Sequence, residues 1–90
     1  MNVDKFIDIM NDDDLRGSEI MAVADNALAG LDIIRKYMPD KDLITGASHD
    51  VIYSVDLEEL IAAGITVGDV RKLSALNWMV DDGSYLACFV

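Results

Sequence analysis

Four residues, Ala63-Gly64-Ile65-Thr66, separate two short segments that each carry an apolar helical face, and this corner constrains the fold more than any other feature of the chain. Leu57, Leu60 and Ile61 recur at helical spacing before it, and Val67, Val70, Leu73 and Leu76 after it. Asp56 is placed to cap the first segment and Gly64 to end it. Thr66 opens the second, with Asp69 three residues on in a shortened form of the capping box. Two helices joined by so short a glycine-containing turn read as a helix-turn-helix corner.

The flanking sequence extends this unit. Val51, Ile52, Tyr53 and Val55 read as a strand before the corner, and Trp78, Met79 and Val80 as a strand after it. Asp81, Asp82, Gly83 and Ser84 form a hairpin turn, and residues 85–90 return as a last strand, apolar on both faces and therefore expected to be well covered. Upstream, Val3, Phe6, Ile7 and Met10 give a short first helix with Asp4, Asp8 and Asp12 on its other side. Gly17 and Ser18 read as a break and an N-cap for a longer second helix. Its stripe is Ile20, Val23, Ala24, Ala27, Leu28, Leu31, Ile34 and Met38, and Pro39 stops it. Residues 40–50 read as an irregular loop. The expected architecture is a small α+β single domain spanning 1–90. A short N-terminal helix within 1–14 precedes a winged helix-turn-helix-like core over 19–90: helix, strand, helix, helix, β-hairpin. In that arrangement the fourth helix holds the recognition position and 81–84 the wing tip.

Charge narrows the partners. Seventeen acidic residues against seven basic ones give a net charge of −10, yet 52% of the chain is hydrophobic. Acidic disordered segments lack the apolar surface that offsets lost chain entropy, and this chain has it. Ten carboxylates fall in residues 1–48 and seven in 49–90, so the charge coats the fold. Such a surface repels nucleic acid and anionic lipid and attracts basic protein surfaces. No apolar run approaches the roughly 18 residues of a membrane span, and no basic leader precedes an apolar stretch; a cytoplasmic protein is expected. The single cysteine, Cys88, sits among Ala87, Phe89 and Val90 and reads as a core thiol in a reducing compartment.

Catalytic and metal signatures are weak. His49 beside Asp50 has no accompanying nucleophile. Glycine-rich phosphate loops and zinc ligand sets are absent, and no cofactor is expected. A calcium loop starting at Asp12 would place Arg16 at position 5 and Val23 at position 12, where oxygen ligands are required. For DNA, the solvent side of the fourth helix is expected to offer Asp69, Arg71, Lys72, Ser74 and Asn77, and the wing two aspartates. Two cations do not offset the net charge in a groove of phosphates. Tyr53, Trp78, Tyr85 and Phe89 fall on the strands and read as core, with Trp78 and Tyr85 the candidates for a binding face because they flank the turn. Ala22, Ala24, Ala27, Ala29 and Gly30 let a helix approach closely, leaving open tight internal packing or a homodimer seam over residues 20–38.

Val55-Asp56-Leu57-Glu58-Glu59-Leu60, Gly64-Ile65-Thr66, Leu73-Ser74-Ala75-Leu76-Asn77-Trp78, an acidic turn and Leu86-Ala87-Cys88-Phe89-Val90 together resemble the C-terminal part of small acidic proteins encoded by bacteriophages and prophages. The resemblance covers under half of the chain and implies a phage origin; by analogy with that class it points to inhibitors of host machinery, among them DNA mimics and anti-CRISPR proteins. The leading expectation is a non-enzymatic inhibitor or adaptor that binds a host nucleic-acid-binding protein through its carboxylates. The contact candidates are Asp4, Asp8, Asp12, Asp13, Asp14, Asp25 and Asp32 in the first half, and Asp56, Glu58, Glu59, Asp69, Asp81 and Asp82 in the second. The alternatives are a winged-helix DNA-binding regulator acting as a dimer, and a virion structural or assembly protein. A plain solubilising role for the charge is the competing explanation.

Overall fold

The computed structural model describes residues 1–19 and 23–89, apart from the side chains of Val23 and Ala24. Three helices begin where a side chain satisfies an orphan amide. Helix α1, Val3–Met10, starts at Asn2, whose side-chain oxygen accepts from the Lys5 amide at 2.8 Å. Helix α3, Leu57–Ala62, starts at Asp56, which accepts from the Glu58 amide at 2.8 Å. Helix α4, Val67–Ala75, starts at Thr66, which accepts from the Asp69 amide at 3.1 Å. Each such cap is worth about 1 kcal/mol. Helix α2 is Val23–Tyr37. Its expected start at Ser18 and Glu19 falls instead in a turn, and Ile20 and Ala22 lie outside the described residues.

The corner closes as expected. Gly64 adopts φ +93°, and the Gly64 and Ile65 amides donate back to the Ile61 and Leu60 carbonyls at 3.0 and 3.2 Å. That doubly bonded C-cap needs a left-handed residue, which glycine supplies without a Cβ clash. Helix α4 ends the same way with Asn77 at φ +65°: the Asn77 and Trp78 amides donate to the Ser74 and Leu73 carbonyls.

Four antiparallel strands follow the order β1-β2-β4-β3: β1 Gly46–Ser48, β2 Val51–Asp56, β3 Met79–Asp81 and β4 Tyr85–Phe89. Strand β1 corrects the expectation of an irregular loop over 40–50. Gly-Ala-Ser carries no β-forming signal, and the segment is extended because it pairs with residues 51–53 of β2. The β3–β4 turn has φ +55° at Asp82 and +65° at Gly83, the two positive values that a tight hairpin of this kind requires.

The helices cover one face of the sheet. Leu86 and Cys88 of β4, with Val55, join a core containing Phe6, Met10, Ile34, Leu57, Leu60, Val70, Leu73 and Trp78. The N-terminal helix belongs to this core: Phe6 and Met10 are fully buried, and the Ser74 hydroxyl on α4 donates to the Met10 carbonyl at 3.2 Å. The segment after α1 is stitched to the same place. Gly17 and Glu19 donate backbone bonds to the Ser74 and Ala75 carbonyls, and the Arg16 guanidinium donates to the carbonyls of Met10 and Trp78 at 3.3 and 2.9 Å.

Several packing expectations change. Trp78, read as core but named as a candidate exception for a binding face, is fully buried; its indole lies against Gly30 of α2 and donates to the Asn26 carbonyl at 3.0 Å. Gly30 therefore serves a close internal contact, the packing use of the small residues on α2. Within the expected stripe Ala27, Leu31 and Ile34 are buried, whereas Leu28 is 60% exposed, because a step of one residue turns it about 100° away from them. The last strand is covered on one face only: Phe89, expected in the core, is 52% exposed and Tyr85 half-buried. The result is a small α+β single domain with, among the described residues, four helices and one four-stranded antiparallel sheet. None of these helices is long and apolar enough to cross a membrane.

Candidate functional site

The corner is braced by a carboxylate. Asp69 is 7% exposed, which corrects its expected place on the solvent side of α4. Its Oδ2 accepts from the Lys36 ammonium at 2.8 Å and from the Tyr37 hydroxyl, and Lys72 lies 3.9 Å from its Oδ1. The Thr66 amide in turn donates to the Tyr37 hydroxyl at 3.4 Å. In a full capping box a glutamate reaches back to the cap residue's own amide; aspartate is one methylene shorter, and here the tyrosine hydroxyl stands between the two. Lys36 first, and then Tyr37, hold the Asp69 carboxyl below its usual range, and Asp69 raises Lys36 in return. A carboxylate kept ionised in this way has no proton to give; it ties α2 to the start of α4.

Ser74, the other residue expected to face solvent on α4, is fully buried against α1. With α1 on one side and the Lys36 and Tyr37 pair on the other, α4 exposes only a narrow strip of Val67, Gly68, Arg71 and Lys72. Two of the five residues expected on the solvent side, Asp69 and Ser74, are thereby taken into the interior.

Positive charge is spent on the fold. Arg16 binds backbone carbonyls, Lys36 and Lys72 lie at Asp69, and Lys41 binds Glu59. Three of the seven cations, Lys5, Arg35 and Arg71, have no such partner among the described residues.

The carboxylates face outward. Asp4, Asp8, Asp13, Asp14, Asp25, Asp32, Glu58, Glu59 and Asp82 are exposed; Asp12, Asp56 and Asp81 are half-buried. They are not gathered into one tight group: among the described residues no three His, Cys, Asp or Glu side chains converge closely enough to hold a metal ion. Asp12 accepts from the Asp14 amide in a local turn at the end of α1. Several draw near one another at the β3–β4 turn, where the Leu57 amide donates to the Ser84 carbonyl at 2.9 Å and brings Asp56 and Glu58 beside the turn that carries Asp81 and Asp82.

The uncovered sheet face lies beside that turn. Tyr53 pairs with Ala87, and Tyr85 stands opposite Asp56 on β2 and opposite Asp81 on β3. Residues directly opposite share a face, so the Tyr85 ring has a carboxylate on either flank. Tyr53 meets it edge to face, with centroids 5.8 Å apart at 79°. Partial burial, then Asp81, pushes the Tyr85 phenol above its usual range. Between β2, β4 and α3 these rings border a cleft of about 390 Å³ lined also by Lys41, Gly46, Asp56 and Glu59.

Sequence reasoning did not single out Lys36, Tyr37, Lys41 or Arg16. For Lys36 and Tyr37 a signal existed in the short aspartate of the capping box, which leaves an amide wanting an acceptor; Lys41 and Arg16 gave none. The Asp-Gly turn signals the hairpin but not its register, which pairs Tyr85 with Asp81 across three residues. No family model, curated protein or solved structure matches this chain.

Proposed function

We propose that this chain is a non-enzymatic acidic module that docks on a basic protein surface, in the setting of a phage-encoded inhibitor or adaptor acting on a host nucleic-acid-binding protein. One observation carries the reading: thirteen of the seventeen carboxylates stand exposed, while Arg16 is committed to backbone carbonyls and Lys36, Lys41 and Lys72 each lie beside a carboxylate, so the outward field is strongly negative. Such a field speeds encounter with a cationic partner and rejects anionic ones. The carboxylates are spread over α1, α2, α3 and the wing, which favours general electrostatic docking over imitation of a phosphate ladder. The test is capture of a partner from the host lysate at low salt and its elution as salt rises. Binding that is unchanged between about 50 and 500 mM salt would remove the electrostatic basis, since the screening length falls severalfold over that range.

A second reading, a winged-helix DNA-binding regulator, is favoured by one feature. Leaving β1 aside, the first strand lies beside the last and the wing hairpin closes the edge, the order β2-β4-β3 that a winged helix uses. Against its DNA-binding half stands the narrow exposed strip of α4. A low-salt gel shift separates the readings: no duplex shifted at about 50 mM salt, where counterion release favours binding most, ends the regulator.

A further inference from the structure

We infer that the cleft bordered by Tyr53 and Tyr85 receives an arginine side chain of the basic partner, an assignment that rests on the binding function proposed above. The groups left unspent in the cleft define the occupant. The Thr45 hydroxyl already donates to the Ser54 carbonyl at 3.0 Å and the Ser54 hydroxyl to the Leu43 carbonyl at 2.6 Å. Lys41, the one cation in the lining, is held by Glu59. Asp56 spends one carboxylate oxygen on the Glu58 amide and keeps the other free of protein donors among the described residues. Besides the phenol hydroxyls of Tyr53 and Tyr85, what remains is acceptor capacity on Asp56 and Glu59 and aromatic surface, a lining weighted towards a cation.

A guanidinium matches both. It is planar and weakly hydrated, stacks on an aromatic ring, and binds a carboxylate through a fixed fork of N–H groups. Tyr85, flanked in register by Asp56 and Asp81, offers a ring with a carboxylate on each side, and its edge-to-face contact with Tyr53 fixes the ring's attitude. Gly46 keeps Tyr53 accessible. It lies directly opposite Tyr53, and a Cβ there would stand 3.6 Å from Tyr53 Cδ2, so any longer side chain would lie over the ring. A volume of about 390 Å³ lies at the small end of ligand sites, sized for one long side chain.

The test is an amide NMR titration of the whole chain with a capped Gly-Gly-Arg-Gly-Gly peptide and its lysine counterpart at low salt. Saturable shifts are expected at Gly46, Tyr53, Asp56 and Tyr85, with the lysine peptide weaker by severalfold. Asp56→Asn with Glu59→Gln should weaken arginine binding about tenfold, and Asn keeps the N-cap, so the fold is retained. Tyr85→Leu, checked for an unchanged amide spectrum away from the cleft, should weaken it comparably. Shifts confined to the acidic residues of α1 and α2 would overturn the cleft assignment and leave the acidic docking function standing. Equal binding of both peptides would overturn the choice of arginine. No shift anywhere with either peptide would overturn the assignment and the docking function together.

Discussion

Replacing Gly30 by alanine tests the packing of Trp78 most directly, because propensity and packing predict opposite signs. In a helix interior Gly→Ala gains about 1 kcal/mol. A Cβ built at position 30 would lie 1.9 Å from Trp78 Nε1 and 2.2 Å from Cε2, far inside contact distance. The indole must move, and it is fully buried with its N–H committed to the Asn26 carbonyl. Overpacking of this kind costs about 1–3 kcal/mol, and loosening the buried hydrogen bond adds about 1–3 kcal/mol. After the propensity gain is subtracted, Gly30→Ala should destabilise by about 1–5 kcal/mol, a large fraction of the roughly 5–15 kcal/mol that holds a domain together. Urea unfolding followed by far-UV circular dichroism measures this as a midpoint lowered by on the order of 2 M, for m of about 1–1.5 kcal/mol/M. Trp78 is the single tryptophan, so its emission gives a second reading of the same transition. The decisive arm is Gly30→Ala in a Trp78→Leu background, where the cost should vanish or become a gain, a coupling at least as large as the single-variant cost. An unchanged or raised midpoint for the single variant, or equal costs in both backgrounds, would refute the contact.

Three further outcomes follow from the same geometry. Asp69→Asn should lose about 2 kcal/mol, the worth of its charged hydrogen bonds. Because the folded carboxyl titrates below its unfolded value, that stabilisation is present at pH values above the unfolded pKa and lost as pH falls through the folded one. The wild-type advantage in thermal melts should therefore be flat near neutrality and close below about pH 4; a gap that persists in acid would contradict the ion pair. The Lys36 contribution has the opposite sense, present below the ordinary lysine pKa and lost as pH rises through the elevated one. Gly64→Ala forces a side chain to φ +93° with open space around it, so backbone strain alone should cost about 1–2 kcal/mol and lower Tm by several degrees; an unchanged Tm would argue against the left-handed corner. Burial raises the Cys88 thiol and shields it, so a thiol-exchange reagent should label the native protein far more slowly than the urea-unfolded chain, and equal rates would place Cys88 at the surface.

Features set by residues a few positions apart were readable in the chain. Asp56 and Thr66 as caps, Gly64 as the end of α3, the Asp82-Gly83 turn and the buried face of Leu57 and Leu60 all depend on local backbone chemistry, and they stand where the pattern put them. Misreadings cluster where burial depends on a distant partner. Asp69 and Ser74 follow the polar side of an amphipathic helix by periodicity, yet Lys36, Tyr37 and the Met10 carbonyl draw them inward. Leu28 lies one position off the stripe that packs, and Phe89 lies on the sheet face that no helix covers.

The candidate cleft divides along the same line. Tyr85 pairs with Asp81 across Asp82, Gly83 and Ser84, one residue beyond the Asp81–Ser84 pairing that a two-residue Asp-Gly loop alone would set. Its second carboxylate, Asp56, arrives only because β2 pairs with β4 across a shifted register after Tyr53. Gly46 reaches Tyr53 only through a strand that has no sequence signature.

By itself, then, the sequence determined the helix caps, the left-handed corner, the Asp82-Gly83 turn and a net charge of −10, because each is a property of neighbouring residues or of the whole composition. Tertiary structure alone decided that α1 covers α4, that Trp78 lies on Gly30, and that Arg16 binds backbone carbonyls while Lys36 and Tyr37 draw Asp69 inward. Those outcomes rest on contacts between residues such as Lys36 and Asp69, or Asn26 and Trp78, which are 33 and 52 positions apart. Burial is a property of the assembled surfaces, and no local pattern records which surface will meet which.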